Sequence, residues 1–139
     1  MNSIDPPGPA AASPADLPKS DLPRDVLLVE DDPLIAMDSA ETITGFGVAS
    51  VRTARDVAGA LKLIAERAPD FALLDVGLNR EKSFVVAEQL RRQMIPLAFV
   101  TGYSGPASMP PMFKHYPVLR KPYLREDLLA ILRRWRDPV

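Results

Sequence analysis

Four short apolar runs punctuate this chain, and each ends abruptly in polar chemistry. Val26-Leu27-Leu28-Val29 runs into Glu30-Asp31-Asp32, and Phe71-Ala72-Leu73-Leu74 into Asp75. Leu97-Ala98-Phe99-Val100 ends in Thr101-Gly102, and Val118-Leu119-Arg120 in Lys121-Pro122. Continuous apolar runs of this length suit strands buried on both faces. The segments between them carry helical spacing. Asp32-Pro33 reads as an N-cap followed by Pro at the first helical position, with Leu34, Ile35, Met37 and Ile43 as the apolar face and Gly45 as the stop. A second strand is expected over 48–52. A helix follows over 57–67, with Leu61, Leu63 and Ile64 available for the core and Pro69 beyond its end. Ser83 is expected to cap a helix over 84–93, and Pro96 precedes the strand at 97–100. The last strand begins at Tyr116 or Val118 and ends at Arg120. A final helix over about 124–135 offers Leu128, Leu129, Ile131 and Leu132 as its core seam. Strands alternating with helices of this size predict an α/β fold, a doubly wound five-stranded parallel sheet with helices on both faces.

One stretch breaks the alternation. Gly102, Gly105, Pro106, Pro110, Pro111 and Pro117 lie between the last two strands. An interior Pro removes a donor and clashes with the preceding turn, so the fourth helix should be short or irregular. With sparse apolar anchors, 102–116 is expected to be the most mobile part of the folded domain.

In an open parallel sheet the C-terminal strand ends share one edge, where ligands bind. That edge would gather three or four acids, a hydroxyl and an ammonium, the makings of a divalent metal site beside a phosphorylatable carboxylate. Asp75 is the most telling residue. A carboxylate after four apolar residues is costly unless it has a counter-charge or a task. The plainer reading, in which the acids cap a helix and solvate the edge, accounts for Asp32 but poorly for Asp75. Lys121 beside Arg120 could be a solvated lysine, and Thr101 could make a local turn bond. The glycine after Thr101 leaves room for a phosphate instead.

Composition narrows the class. The chain has 139 residues, 47% hydrophobic and 25% charged, enough for one domain with a real core. A formal net charge of −1 argues against a general nucleic-acid binder. With no cysteine there are no disulfides or thiolate metal sites. No signal peptide or membrane-spanning stretch is evident, so a cytoplasmic protein is expected. Residues 1–23 are rich in Pro, Ala, Ser and Asp and are expected to form a disordered tail, with the folded domain over 24–139.

Glu30-Asp31-Asp32, Asp75, Thr101 and Lys121-Pro122 stand in the order and spacing of CheY-like receiver domains of two-component response regulators, which the chain resembles over roughly 24–136. Phe99-Val100-Thr101-Gly102-Tyr103 and Pro117-Val118-Leu119-Arg120-Lys121-Pro122 look like the FATGUY group of stand-alone receivers, typical of alphaproteobacteria. The resemblance implies a flavodoxin-like receiver fold and Asp75 as phosphoacceptor. It implies Mg²⁺ held by Asp31, Asp75, Glu30 through a water, and the backbone carbonyl of Gly77. Lys121, joined to Pro122 by a cis peptide bond, would pair with the phosphoryl group, and Thr101 would donate its hydroxyl to it. The implied partner is a sensor histidine kinase, of the HWE or a related class, or a phosphotransfer protein. With no effector domain in view, output would be a contact with a downstream protein, without direct DNA binding. The alternative is a phosphate sink that drains a kinase pathway by rapid hydrolysis. Either way it would be a signalling receiver and not an enzyme. A metal-dependent phosphatase would commonly carry a second Asp at position 77, where this chain has Gly.

Two positions depart from the common receiver pattern. Val118 stands where a switch aromatic is usual, with Tyr116 and Tyr103 as candidate replacements. Gly77 stands where related proteins often carry a side chain, which puts the phosphoryl lifetime in question. His115, the only histidine, is expected on a loop surface. Trp135 is expected to pack on the core.

Overall fold

The computed structural model describes residues 21–78, 81–102 and 109–137. Five strands form one parallel sheet: β1 (Asp25–Val29), β2 (Ser50–Ala54), β3 (Phe71–Asp75), β6 (Leu97–Thr101) and β7 (Val118–Arg120). Their order is β2-β1-β3-β6-β7. Two residue pairs, β4 (Gly77–Leu78) and β5 (Glu81–Lys82), make a small antiparallel ladder just beyond β3. The helices are α1 (Pro33–Gly45), α2 (Val57–Glu66), α3 (Phe84–Arg92) and α4 (Arg125–Arg133), and a 3₁₀ turn spans Pro111–Phe113. This is the doubly wound receiver architecture that the alternation predicts.

The two-residue period of a strand sends successive side chains to opposite faces, and the core divides accordingly. Val26, Leu28, Phe71, Leu73, Ala98, Val100 and Leu119 meet α1 and α4 through Ala36, Ile43, Leu128, Ile131 and Leu132. Leu27, Val29, Ala72, Leu74, Leu97 and Phe99 meet α2 and α3 through Ala60, Ile64, Val86, Ala87 and Leu90. Trp135 packs against the first cluster, as expected.

Several local expectations change. α1 does not turn Leu34, Ile35 and Met37 to the core. They are 71%, 36% and 55% exposed, while Ala36, Ser39 and Ile43 are buried. The 3.6-residue period offered two nearly equivalent faces, and the small one fits against the sheet. β2 begins at Ser50 rather than 48, because the chain leaves α1 through Gly47, at φ 111°, before pairing starts at Asp25–Ser50. Only Gly tolerates that backbone conformation readily. Ser83 stands at the N-cap position of α3 but makes no capping bond; its side chain is fully buried. Leu22 is also buried.

The described part of the Pro-rich segment carries more anchors than its composition implies. Residues 103–108 lie outside the described part, but Met109 and Phe113 beyond them are buried. Phe113 stacks on Phe84 at 5.8 Å and meets Phe99 and Tyr116 edge-on at 5.5 and 5.9 Å. Among the described residues of this segment a 3₁₀ turn delivers the anchor.

At the opposite sheet edge, Arg52 grips buried Asp25 with two hydrogen bonds, of 3.1 and 2.7 Å. Arg67 adds a third at 3.2 Å. Arg52 also donates to the carbonyls of Leu63 and Arg67, tying the end of α2 to the sheet. Burial raises the proton affinity of Asp25, but the bonds from Arg52, Arg67 and Ser50 outweigh it and hold the carboxyl below its ordinary pKa.

Candidate functional site

The strand ends converge as the apolar runs predict. Glu30 continues the row of Val26 and Leu28, Asp75 that of Phe71 and Leu73, and Lys121 that of Leu119. All three therefore project from the α1/α4 face at the C-terminal edge. An open crevice of about 450 Å³ is lined there by Glu30, Asp31, Asp32, Ile35, Asp75, Gly77, Lys82, Thr101, Gly102 and Lys121, among others.

Lys121 is the hub. Its ammonium lies 2.6 Å from Asp75 Oδ2 and 2.8 Å from Glu30 Oε1. Its own N–H donates to the Thr101 carbonyl at 2.8 Å, which fixes the end of β7 against β6. The Lys121–Pro122 peptide is cis, as the resemblance implied. Glu30 and Asp75 are 4% and 6% exposed, and the Lys121 ammonium is the opposite charge that offsets the cost of burying them. Burial works against the Lys121 ammonium, but its bonds to Asp75 and Glu30 prevail and raise its pKa above the ordinary lysine value. Burial pushes Glu30 above the ordinary carboxylate value. The Lys121 bond and the Asp32 N–H pull it back, and the charge of Asp75 adds to the rise.

The remaining oxygens are also held. Glu30 Oε2 accepts the Asp32 N–H at 3.0 Å, and Asp75 Oδ1 accepts the Gly77 N–H at 3.1 Å. Asp32 caps α1 by accepting from the N–H groups of Leu34 and Ile35, at 2.9 and 3.3 Å. Its helix-capping reading thus holds, and Asp31 is left facing the crevice. Glu30, Asp31 and Asp75 each bring an oxygen within 4.8 Å of the others. Three hard oxygen donors beside an open crevice suit Mg²⁺, which keeps several waters and prefers few carboxylates.

Thr101 is 3% exposed, and its hydroxyl has no hydrogen-bond partner among the described residues. A buried hydroxyl without a partner is costly, and this one borders the crevice beside Asp75. Tyr103 lies outside the described residues. Tyr116 and Val118 are partly buried against the α2/α3 core, and Tyr116 meets Phe99 edge-on at 6.1 Å. His115 is exposed.

Sequence reasoning missed two features of the crevice. The β4–β5 ladder was unforeseen, since its strands are only two residues long. Lys82, which the ladder brings to the crevice, carried no motif signal.

A family model for the response regulator receiver domain matches residues 26–133. The chain belongs to that family. Receiver domains accept a phosphoryl group from a kinase, bind Mg²⁺ at acidic residues and serve signalling rather than metabolic catalysis. The solution structure of SdrG from Sphingomonas melonis Fr1 is similar, with TM-score 0.70 and 38% identity over 81% of this chain and 94% of that one. The receiver domain of NtrX from Brucella abortus superposes with TM-score 0.72 at 25% identity, covering 83% of this chain and all of that domain. Among curated proteins, the phyllosphere-induced regulator PhyR of Methylorubrum extorquens is 32% identical over 87 residues, 60% of this chain and 33% of that protein. The nitrogen assimilation regulatory protein NtrX of Azorhizobium caulinodans is 30% identical over 117 residues, 80% of this chain and 26% of that protein. The chain thus spans a third or less of those two relatives. These similarities fit the alphaproteobacterial type of receiver that the motifs resemble. Among the described residues no helix is long and apolar enough to cross a membrane.

Proposed function

We propose that this receiver takes a phosphoryl group on Asp75 from a phosphohistidine of a sensor kinase, of the HWE or a related class, or of a phosphotransfer protein. An Asp75 oxygen attacks phosphorus, the P–N bond breaks, and the imidazole nitrogen keeps the electron pair. Asp31, Asp75, Glu30 through a water, and the Gly77 carbonyl would hold Mg²⁺, which when bound neutralises charge on the carboxylate and the incoming phosphoryl group. Lys121 is already placed to follow a phosphoryl oxygen, and the Thr101 hydroxyl has a bond to give. The observation that carries this reading is buried Asp75 held at 2.6 Å by Lys121 beside that unspent hydroxyl.

The exposed Leu34 and Ile35 line a neighbouring crevice with Lys121, Pro122 and Tyr123. An apolar surface at the mouth of a charged site suits a helical partner that presents its histidine there. Such an encounter belongs in the cytoplasm. Signalling through a downstream protein is the output we favour. A phosphate sink is the second reading, supported by Gly77, where an added Cβ would meet nothing within 4 Å and the site stands open.

The test is labelling with a phosphohistidine donor in the presence and absence of Mg²⁺. Asp75→Asn keeps the shape of the side chain but is no nucleophile, so labelling should vanish while the fold survives. Persistent labelling of this variant, or label on His115, refutes the assignment. A half-life of seconds with no phosphorylation-dependent partner favours the sink.

A further inference from the structure

The crevice holds a second cation whose presence follows from the small ladder beyond β3. In that ladder Gly77 stands directly opposite Lys82, and Leu78 opposite Glu81. Directly opposed residues share a face of an antiparallel pair, so Lys82 lies over the ground that a side chain at 77 would occupy. Gly77 leaves that ground empty.

The ladder is held in place from several sides. Leu78 is buried, and the Gly77 N–H binds Asp75 Oδ1. The Ser83 N–H binds the Val76 carbonyl, and Glu81 accepts the Val57 N–H at the start of α2, at 3.0 Å. The Lys82 side chain lines the crevice, and its ammonium makes no hydrogen bond or ion pair among the described residues. The charge balance there favours a further cation. Glu30, Asp31, Asp32 and Asp75 face Lys121, whose ammonium is already divided between two carboxylates.

We infer that Lys82 is a phosphoryl-binding residue: its ammonium closes onto a phosphoryl oxygen when Asp75 is modified, doing from residue 82 what a side chain at 77 cannot. This rests on the phosphoacceptor reading above. A flexible lysine is a mobile point charge suited to such a task. It makes no use of the group in the unmodified protein, where its only electrostatic effect on the acidic trio is to oppose a second cation.

The inference therefore predicts effects of opposite sign. Lys82→Ala should bind Mg²⁺ alone more tightly, because a competing positive charge is gone. The same variant should bind beryllofluoride, a phosphoryl mimic, about 10-fold more weakly at saturating Mg²⁺, the low end for a charge-assisted hydrogen bond. Lys82→Arg should restore beryllofluoride binding, and Lys82→Glu should weaken it further. The urea midpoint of each unliganded variant should stay at the wild-type value, since Lys82 is exposed. Beryllofluoride affinity unchanged in Lys82→Ala, or a fall in both affinities together, overturns the inference while leaving the phosphoacceptor reading intact. A wild-type protein that binds no beryllofluoride with Mg²⁺ and takes no label on Asp75 overturns both.

Discussion

Thr101→Val separates stability from function by sign. The substitution keeps the branched shape of the side chain and removes a hydroxyl that has no partner among the described residues. Burying a hydroxyl without a bond costs about 1–3 kcal/mol. The unmodified variant should therefore be more stable than the wild type by about 1 kcal/mol. That corresponds to roughly 3–6 °C in Tm for a domain of this size. The urea midpoint should rise with an unchanged slope, because the same surface is exposed on unfolding. With Mg²⁺ and beryllofluoride the order of gains reverses. A ligand at 100 times its Kd stabilises the folded state by about 2.7 kcal/mol. Losing one hydrogen bond to a charged group, worth about 1.5–3 kcal/mol, lowers affinity roughly 10- to 100-fold and removes about half of that gain or more. Paired urea titrations with and without the mimic measure both quantities. A variant less stable than wild type without ligand would mean that the hydroxyl is already bonded in the resting protein. An equal gain from beryllofluoride in both proteins would mean that Thr101 does not touch the phosphoryl group. Either result refutes the argument.

Two further substitutions test the scaffold. Phe113→Ala should cost about 3–5 kcal/mol, the range for a buried Phe, because its ring touches three others; a loss near zero in chemical denaturation would show that the Pro-rich segment is not anchored. Asp25→Asn should cost about 3 kcal/mol at neutral pH, the low end for breaking a buried pair, since Arg52 keeps two carbonyl partners. The pKa of Asp25 is depressed in the folded protein, so its contribution is fully present above the ordinary value of 3.8 and is lost as pH falls through the lower folded value. The variant should accordingly show a flatter acid limb in urea midpoints taken below pH 4, and an acid limb as steep as that of the wild type would count against this role for Asp25.

The apolar runs and the residues that end them were enough to predict the alternating fold and the shared edge of Glu30, Asp31, Asp75, Thr101 and Lys121. That much is local: a run of apolar residues makes a buried strand, and one topology rule brings the strand ends together. Asp32 as a cap with Pro33 behind it was legible for the same reason, because capping chemistry acts within a single turn. Where two local solutions were nearly equal, only packing chose. α1 could have buried Leu34, Ile35 and Met37, but the sheet accepts the smaller face of Ala36, Ser39 and Ile43, and the large residues remain beside the crevice. Phe113 packs on Phe84 and Phe99, 29 and 14 positions away, so no pattern along the Pro-rich segment could reveal its anchor. The bridging of Glu30 and Asp75 by Lys121 joins residues 91 and 46 positions apart, and the Thr101 hydroxyl is set apart by having no partner among the described residues. Lys82 is the sharpest case. Alone it is one more surface lysine; a ladder of two residue pairs, too short to leave a periodic signal, sets it opposite Gly77 and over the acids. The chain's pattern determined which chemistry stands at the sheet edge, and the tertiary structure decided which groups are paired there and which remain free, because pairing depends on distances between segments that sequence order does not encode.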